Sequence, residues 1–386
     1  MLAKTPPLGW NSWNTFARNI NEDVVLESAK AMVNRGFKDA GYEYVVIDDC
    51  WSLMERDSDK RLVADPAKFP HGMKWLADQI HALGLKFGMY SCCGTRTCAN
   101  YPSSFDYEFI DAQTFADWGV DFLKYDNCNR PKGAHNTLMY QRMGLALKAT
   151  GREILYSACQ WGEDNPGEWI RSTGAHMYRS TGDIFDHFGS VREIAASQAS
   201  KLCYAAPYFW NDIDMLVAGM HGQGNVGRGG MSDAEYEFHF ALWCVMQSPL
   251  MMGCDIRTVD EKTADLMKHK ELLAINQDPE GRQPYVIDRG RNYTDRYLGM
   301  KHMADGSYVL FAFNFSDGGY GGFTEFFDIG LSADCGYGLD LYDVMTGEKL
   351  GLIKDYVRWS LPPHGFRILR GNLVRRTPEN PGKTYN

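Results

Sequence analysis

The fold is decided by a run that reads Met73-Lys-Trp-Leu-Ala-Asp-Gln-Ile-His-Ala-Leu-Gly84-Leu-Lys-Phe-Gly-Met-Tyr-Ser91. Its first part, residues 73–83, is an amphipathic helix candidate, and Gly84 directly after it is a helix stop signal. Its second part, residues 86–91, is a short apolar segment of the length typical of a buried strand. The run therefore predicts a helix followed at once by a strand, which is the repeating step of an α/β protein.

The same step recurs along most of the chain. Short apolar segments that end in a polar or acidic residue predict strands at 8–13, 44–48, 86–91, 120–126, 153–158, 176–183, 207–214 and 248–255. Helical patterns predict helices at 22–40, 73–83, 109–118, 136–150, 190–201, 233–246 and 260–269. Strands that alternate with helices in this way predict a (β/α)₈ TIM barrel.

Beyond residue 288 the pattern changes to short alternating segments such as Tyr308-Val-Leu-Phe-Ala-Phe-Asn314. Gly-rich turns such as Gly318-Gly-Tyr-Gly-Gly322 separate these segments. Both features are typical of an antiparallel β-sandwich. We therefore predict a barrel in residues 1–288 and an antiparallel β domain in residues 289–386, packed closely because no low-complexity linker separates them.

The composition excludes several classes of partner. A formal net charge of −9 with no basic run lacks the positive surface that nucleic-acid binding requires. No segment approaches the roughly 20 apolar residues that cross a bilayer, so we expect no membrane partner. The first residues contain no apolar signal-peptide core, which predicts a cytoplasmic protein, with a mature secreted form as the alternative. Oligomeric state stays open, with a homo-oligomer among the alternatives.

Ten cysteines in 386 residues are too few for a disulfide scaffold. Four of them, Cys92, Cys93, Cys98 and Cys128, fall on or just after two predicted strand ends. A zinc site is one interpretation, but their spacing matches no zinc template and no pair of histidines accompanies them. We therefore expect neither a metal nor a cofactor.

Acidic residues cluster at the ends of four predicted strands, where a barrel builds its active site. These residues are Asp48 and Asp49, Asp126, Asp183, and Asp212 with Asp214. Taken singly, each has a structural interpretation as a turn residue, a helix cap or a solvated strand end. Several carboxylates around one mouth, with aromatic residues between them, are what glycosidic bond cleavage requires, because one acid must donate a proton and another must be ionised. The agreement across four strand ends therefore favours a glycosidase.

Six motifs in the predicted barrel resemble a known family. They are Leu8-Gly-Trp-Asn-Ser-Trp13, Ile47-Asp-Asp-Cys-Trp51, Lys124-Tyr-Asp-Asn-Cys128, Arg179 to Ile184, Trp210 to Met215, and Ala274-Ile-Asn-Gln-Asp-Pro279. In these motifs the chain resembles the α-galactosidases of glycoside hydrolase family 27, which also contains α-N-acetylgalactosaminidases and β-L-arabinopyranosidases. The resemblance implies a retaining exo-glycosidase that hydrolyses terminal α-linked galactose from a saccharide substrate.

The resemblance implies a double displacement at two aspartates. Asp126 would attack the anomeric carbon as nucleophile, while Asp183 would protonate the leaving oxygen and then activate water. Retaining enzymes hold these two carboxyls about 5 to 5.5 Å apart. Lys124 lies two residues before Asp126 on the same strand face, so we expect its charge to help keep Asp126 ionised.

The remaining sugar contacts follow from the same resemblance. Asp48 and Asp49 would bind the 4- and 6-hydroxyls of galactose. Lys124 would contact the ring hydroxyls, and Arg179 would hold the 2-hydroxyl. The apolar walls of the site would be formed by Trp13, Tyr90 and Met215. Plain barrel packing is the structural alternative for the first and last of these three.

Two places in the chain favour galactose over the other sugars of the family. The segment Cys159-Gln160-Trp161 would meet the 2-substituent, where the large Gln160 and Trp161 favour a hydroxyl over an N-acetyl group. The presence of both Asp48 and Asp49 favours a hexose over the pentose arabinose. Two alternatives stay open, a related glycosidase for another sugar and a catalytically silent carbohydrate-binding barrel. Retention of both catalytic aspartates disfavours the silent barrel.

The cysteines depart from the family pattern in two places. Many secreted relatives pair the cysteine that matches Cys50 with one in the loop after the first strand, but that loop here contains Phe16-Ala17-Arg18, so this disulfide cannot form. Cys98 and Cys128 match another family disulfide, which we expect in an oxidising compartment, with free thiols in a reducing one. Cys92-Cys93 replaces an Asp-containing stretch, so the rim contacts there are expected to differ.

Overall fold

A computed structural model describes residues 1–287 and 295–384. Its N-terminal part is built around parallel strands, β1 Leu8–Asn11, β2 Tyr44–Val46, β3 Lys86–Cys92, β4 Phe122–Asp126, β5 Leu155–Cys159, β6 Met177–Arg179, β7 Trp210–Asp212 and β8 Leu250–Met252. Their order in the sheet is β7-β6-β5-β4-β3-β2-β1-β8. Each predicted strand is therefore present, in sequence order apart from β8, which pairs with β1.

The sheet closes on itself between β7 and β8. A parallel bridge joins Leu216, which follows β7, to Met252 in β8. The backbone amide of Leu216 donates to the Met251 carbonyl at 2.8 Å, and the amide of Gly253 donates to the Leu216 carbonyl at 2.9 Å. The predicted (β/α)₈ barrel is therefore confirmed.

Helices cover the outside of the barrel. Within the described residues they are α1 Trp13–Phe16, α2 Glu22–Asn34, α3 Gly72–Ala82, α4 Glu108–Asp117, α5 Asn136–Ala149, α6 Phe188–Gln198, α7 Asp233–Val245, α8 Glu261–Met267 and α9 Lys270–Asn276. The buried face of α2 includes Val25, Ala29 and Met32 at helical spacing. The prediction that this helix extends to residue 40 is wrong, because Gly36 adopts a left-handed φ of 76° and turns the chain.

Five of the eight predicted strands are too long at their carboxyl ends, and two of these errors change the position of a predicted site aspartate. The strand predicted at 44–48 ends at Val46, and the strand predicted at 176–183 ends at Arg179. Asp48 and Asp183 therefore lie in loops above the barrel. Asp48 lies outside the hydrogen-bond ladder of the sheet, since its backbone amide donates to the Ser12 hydroxyl oxygen at 3.0 Å.

The barrel interior is filled by side chains that alternate along the strands. The buried cluster inside the sheet includes Tyr44, Val46, Phe122, Leu155, Met177, Trp210 and Met251. This packing follows the two-residue period of a strand, because the intervening residues face the helices. A filled interior leaves the mouth at the carboxyl ends of the strands as the place for a binding site.

The C-terminal part consists of antiparallel strands. They are β9 Tyr285–Val286, β10 Arg296–His302, β11 Tyr308–Asn314, β12 Tyr320–Glu325, β13 Tyr337–Asp343, β14 Lys349–Ile353, β15 Tyr356–Leu361 and β16 Phe366–Arg375. One sheet has the order β14-β13-β16-β11-β10-β9, and β12 pairs with β15 in a second sheet. Leu310, Trp359 and Leu369 lie in the buried cluster between the sheets. The predicted antiparallel sandwich is confirmed.

Aromatic residues join the barrel to the sandwich. Phe238 on α7 contacts the rings of Phe313, Phe315 and Phe366, with centroid distances of 5.1, 5.2 and 6.0 Å. The two parts therefore pack closely, as the absence of a linker predicts. The predicted boundary between residues 288 and 289 lies outside the described residues. No helix in the described ranges combines the length and apolarity that a membrane span needs.

Candidate active site

A pocket lies at the carboxyl ends of the barrel strands. It brings together the predicted site residues Trp13, Asp48, Asp49, Tyr90, Lys124, Asp126, Trp161, Arg179, Asp183 and Met215. Asn14, Cys98 and Asp214 also line this pocket, although the sequence did not single them out as substrate contacts. Carboxylates outnumber cations five to two among these residues, so the pocket is strongly acidic.

Asp126, the predicted nucleophile, is the last residue of β4. It is only 6% exposed, and its Oδ1 accepts a hydrogen bond from the Asn127 amide at 2.9 Å. Burial raises the pKa of Asp126 above its ordinary value, while the charge of Lys124 and the Asn127 amide lower it. Lys124 therefore acts in the expected direction, but burial outweighs it.

Lys124 makes its direct ion pair with Asp48 rather than with the nucleophile. Its Nζ lies 2.7 Å from Asp48 Oδ2, and the same oxygen accepts a hydrogen bond from Asn11 Nδ2 at 2.8 Å. Burial lowers the pKa of Lys124, but the facing charge of Asp48 raises it well above the ordinary value. The ammonium group is therefore charged at neutral pH, and Asp48 is held between two donors.

Asp49 lines the pocket and is hydrogen-bonded to the loop that follows β3. Its Oδ2 accepts the Ala99 amide at 2.9 Å, and its Oδ1 accepts the Cys50 amide at 2.7 Å. Burial raises the pKa of this carboxyl, and the two amides lower it. Any change in the loop around Ala99 therefore acts directly on Asp49.

Asp183, the predicted acid/base, is held by an arginine. Arg179 Nη2 lies 2.6 Å from Asp183 Oδ1, and Arg179 Nη1 lies 2.9 Å from Asp214 Oδ1. Asp214 is itself held by the Ile184 and Met215 amides at 2.7 and 2.8 Å. Although burial raises the pKa of Asp183, the Arg179 guanidinium lowers it below the ordinary value. Asp183 is therefore ionised at neutral pH.

A second, deeper cavity adjoins the pocket inside the barrel. Its lining includes Asn11, Ser157, Cys159 and Asp212. Burial, with the neighbouring charge of Asp214, raises the pKa of Asp212 to about 6. This carboxyl belongs to the acidic strand end that the sequence singled out, but it lies in the cavity behind the pocket.

The three residues of the segment Cys159-Gln160-Trp161 lie in three different environments. Cys159 lines the deeper cavity, and Trp161 lines the pocket. Gln160 is fully buried and lines neither, and its side-chain amide has no hydrogen-bond partner within the described residues. Contact of all three residues with substrate stays a prediction, and Trp161 is the one of the three that lines the pocket.

A disulfide between Cys98 and Cys128 borders the nucleophile. It joins the loop after β3 to the loop after β4, as the family resemblance implies for oxidising conditions. The neighbouring Cys92 and Cys93 are free and buried, and their thiols donate to the Cys128 carbonyl at 3.2 Å and the Asn127 side-chain oxygen at 3.6 Å. Cys50 is also free, in agreement with the absence of a partner in the first loop.

With this geometry in view, comparison with known proteins identifies the family. The family model described as Alpha galactosidase A matches residues 5–278. The chain belongs to this family. Among its Alpha galactosidase A relatives, the "Alpha-galactosidase" of Oryza sativa subsp. japonica is 46% identical over 283 residues, which are 73% of this chain and 66% of the relative. The aligned region thus spans slightly less than two thirds of the rice protein.

Two further relatives cover nearly the whole chain. The "Alpha-galactosidase" of Cyamopsis tetragonoloba is 39% identical over 368 residues, which are 95% of this chain and 86% of the relative. The crystal structure of α-galactosidase I from Mortierella vinacea superposes with a TM-score of 0.88 at 36% sequence identity. The alignment covers 96% of this chain and 97% of the Mortierella vinacea chain. The similarity to the Mortierella vinacea structure therefore includes both the barrel and the C-terminal sheets.

Several residues of the pocket and the deeper cavity received no individual role from the sequence. Asp214 had a signal, because it ends a predicted strand in the motif Trp210 to Met215. Asn11, which holds Asp48, lies inside another quoted motif, but an asparagine in a strand carries no distinctive pattern. The sequence suggests Cys98 as a disulfide partner or a zinc ligand, and its place in the pocket wall follows from the fold of its loop.

Proposed function

We propose that this protein is a retaining α-galactosidase that removes terminal α-linked D-galactose from saccharides. The observation that carries the proposal is the presence of Asp126 and Asp183 in one pocket whose walls also contain Asp48 and Asp49. A pair of carboxyls facing one sugar is the minimum that double displacement needs. The relatives named above, which carry the name α-galactosidase, support the same activity.

In the first step, Asp126 attacks the anomeric carbon while Asp183 donates a proton to the departing glycosidic oxygen. The glycosidic bond breaks, and a covalent galactosyl ester on Asp126 forms. In the second step, Asp183 takes a proton from water, and the water oxygen attacks the anomeric carbon. The ester bond breaks, and galactose leaves with its original anomeric configuration.

The ion pair between Arg179 and Asp183 suits the second step better than the first. Arg179 keeps Asp183 ionised, which is the form that accepts a proton from water. The first step requires the protonated form. We propose that a bound 2-hydroxyl engages Arg179 and weakens its ion pair with Asp183, so that substrate binding raises the pKa of the acid/base. The charge of the ionised Asp126 acts in the same direction until the ester forms.

Galactose is the sugar that the pocket supports best. Asp48 is held by Lys124 and Asn11, and Asp49 by two backbone amides, so both offer fixed acceptors for sugar hydroxyls. An indole such as Trp161 restricts the space for a bulky 2-substituent. Hydrolysis rates for p-nitrophenyl α-galactoside, α-N-acetylgalactosaminide and β-L-arabinopyranoside test this choice. If kcat/KM is higher for the α-N-acetylgalactosaminide or the β-L-arabinopyranoside, that sugar takes the place of galactose in the proposal.

Azide rescue tests the two assigned roles separately. In Asp126→Gly, azide should attack the anomeric carbon directly and yield β-galactosyl azide. In Asp183→Gly, azide should attack the galactosyl ester and yield α-galactosyl azide. The configuration of the product is read by NMR, and exchanged configurations would reverse the assignments. If the parent protein hydrolyses none of the three aryl glycosides, the proposed enzymatic activity is excluded.

The cellular location and assembly of the protein stay predictions. A cytoplasmic location is the prediction from the sequence, whereas the Cys98–Cys128 disulfide favours the alternative, a secreted form in an oxidising compartment. A homo-oligomer remains among the alternatives. Neither property alters the proposed chemistry.

A further inference from the structure

The disulfide beside the nucleophile combines three potential metal donors. One sulfur from each of Cys98 and Cys128 and one carboxylate oxygen of Asp126 all lie within 4.8 Å of one another. Donor atoms around a tetrahedral zinc ion lie roughly 3.3 to 3.8 Å apart, given zinc–ligand distances of 2.0 to 2.3 Å. A small movement of two loop cysteines would therefore bring all three donors to one ion.

The oxidation state of the two cysteines decides whether these donors are available. A metal binds the thiolate form of cysteine, and the sulfurs of a disulfide have no thiolate to offer. Cys98 is exposed and lines the pocket, so a small thiol reductant has access to the bond. Reduction by two thiol molecules would yield two cysteine thiols and one new disulfide between the reductant molecules.

We propose that the reduced protein carries an inhibitory site for one thiophilic divalent cation, such as Zn²⁺, formed by Cys98, Cys128 and Asp126. Two thiolates and a carboxylate are a donor set that zinc accepts, with water in the fourth position. Binding forms two zinc–sulfur bonds and one zinc–oxygen bond, and the two thiol protons pass to solvent. The disulfide form binds no ion there.

The surroundings of the site favour a cation. Carboxylates outnumber cations among the pocket residues, and Lys124 and Arg179 are already paired with Asp48, Asp183 and Asp214. An acidic pocket attracts a divalent ion and raises its local concentration. The neighbouring thiols of Cys92 and Cys93 are buried and turned to the Cys128 carbonyl and the Asn127 side chain, so they support the loops.

Inhibition follows from the identity of the third ligand. A carboxylate that coordinates zinc has its electron pair engaged and cannot attack the anomeric carbon. The inference rests on the proposed function in this respect only, since metal binding itself does not depend on catalysis. The pair Cys98 and Cys128 would thus make the enzyme insensitive to zinc when oxidised and sensitive to it when reduced.

The test compares oxidised and thiol-reduced protein, after removal of the reductant without air. Zn²⁺ is titrated while hydrolysis of p-nitrophenyl α-galactoside is measured, and Cd²⁺ is titrated while thiolate-to-metal ultraviolet absorption is recorded. We expect loss of activity at one equivalent of Zn²⁺ in the reduced protein, with recovery on adding EDTA. The oxidised protein should keep its activity and show no absorption change with Cd²⁺.

Matched variants separate this site from the other thiols. Cys335→Ser removes an exposed free cysteine of the C-terminal part and should leave the zinc response of the reduced protein unchanged. Cys98→Ser removes one ligand and should abolish the zinc response, and Asp126→Asn should weaken Cd²⁺ binding. Circular dichroism before and after reduction shows whether each protein remains folded.

Some outcomes would overturn the inference. Equal zinc inhibition of oxidised and reduced protein, or full zinc sensitivity in folded Cys98→Ser, would place the effect elsewhere. Absence of a Cd²⁺ signal in folded, reduced parent protein would also exclude the site. If the oxidised protein hydrolyses no galactoside, the proposed function fails, while the Cd²⁺ titration still decides the metal site independently.

Discussion

Asp126 and Asp183 face the same pocket from β4 and from the loop after β6, but their surroundings differ. Asp126 is 6% exposed, whereas the side chain of Asp183 is 62% exposed and paired with Arg179. Burial raises the pKa of Asp126 above its ordinary value. Burial also raises the pKa of Asp183, but the charge and hydrogen bond of Arg179, together with the charge of Lys124, lower it below the ordinary value. Two aspartates of identical chemistry are thus separated by their environments, as a division between nucleophile and acid/base requires.

We expect the largest effect when the charge of only one of the two aspartates is removed. Asp126→Asn keeps the shape of the side chain but should lower kcat by roughly 10⁴-fold or more on every galactoside, because the attacking oxygen is lost. Asp183→Asn should retain much of its activity on a dinitrophenyl galactoside, whose leaving group needs no proton. Steady-state kinetics on activated and alkyl galactosides check this. Equal losses on both substrates in both variants would contradict the division of roles.

The ion pairs on the Asp183 side also contribute to folding. Arg179→Met would leave the buried Asp214 unpaired, so we expect a loss of roughly 3 to 5 kcal/mol in unfolding free energy. It should also raise the pKa of Asp183 and move the basic limb of the kcat/KM profile to higher pH, since the acid/base must be protonated. Denaturant unfolding and pH–rate profiles measure the two effects. Arg171→Met, at an exposed arginine, is the control.

Behind the pocket, Asp212 should make stability depend on pH. Its pKa is raised from 3.8 to about 6, so the stability it contributes is complete below 3.8 and is lost as the pH rises through about 6. Asp212→Asn removes this dependence, and the variant should exceed the parent by roughly 2 to 3 kcal/mol at about pH 8, with little difference at about pH 4. Denaturant unfolding across this range is the measurement. A constant difference between the two proteins would exclude this role.

The smallest expected effect concerns the Asp126 side. Lys124→Met removes a cation that lowers the pKa of Asp126, so that pKa should rise further. Because the nucleophile must be ionised, the acid limb of the kcat/KM profile should move to higher pH. Loss of a sugar contact alone would raise KM without moving the limb. The pH–rate profile therefore distinguishes an electrostatic role of Lys124 from a binding role.

Much of the architecture was predictable because strands and helices have local periods. Each predicted barrel strand is present. Most errors lie at element ends, where Gly36 ends a helix early and loops begin before Asp48 and Asp183, and the short helices α1 and α9 were not predicted. Ten of the twelve predicted site residues line one pocket. The two others are Cys159, the last residue of β5, and Gln160 directly after it, where the course of the backbone decides whether a side chain faces the pocket or the interior.

The sequence by itself determined the order of the elements, the acidic strand ends and, through its motifs, the family. Tertiary structure alone decided the partners of the charges, such as Lys124 with Asp48 and Arg179 between Asp183 and Asp214. It also placed the Cys98–Cys128 disulfide against Asp126. The physical reason is range. Periodicity is written in neighbouring residues, whereas an ion pair depends on strand register and loop course over tens of residues, which no local pattern contains.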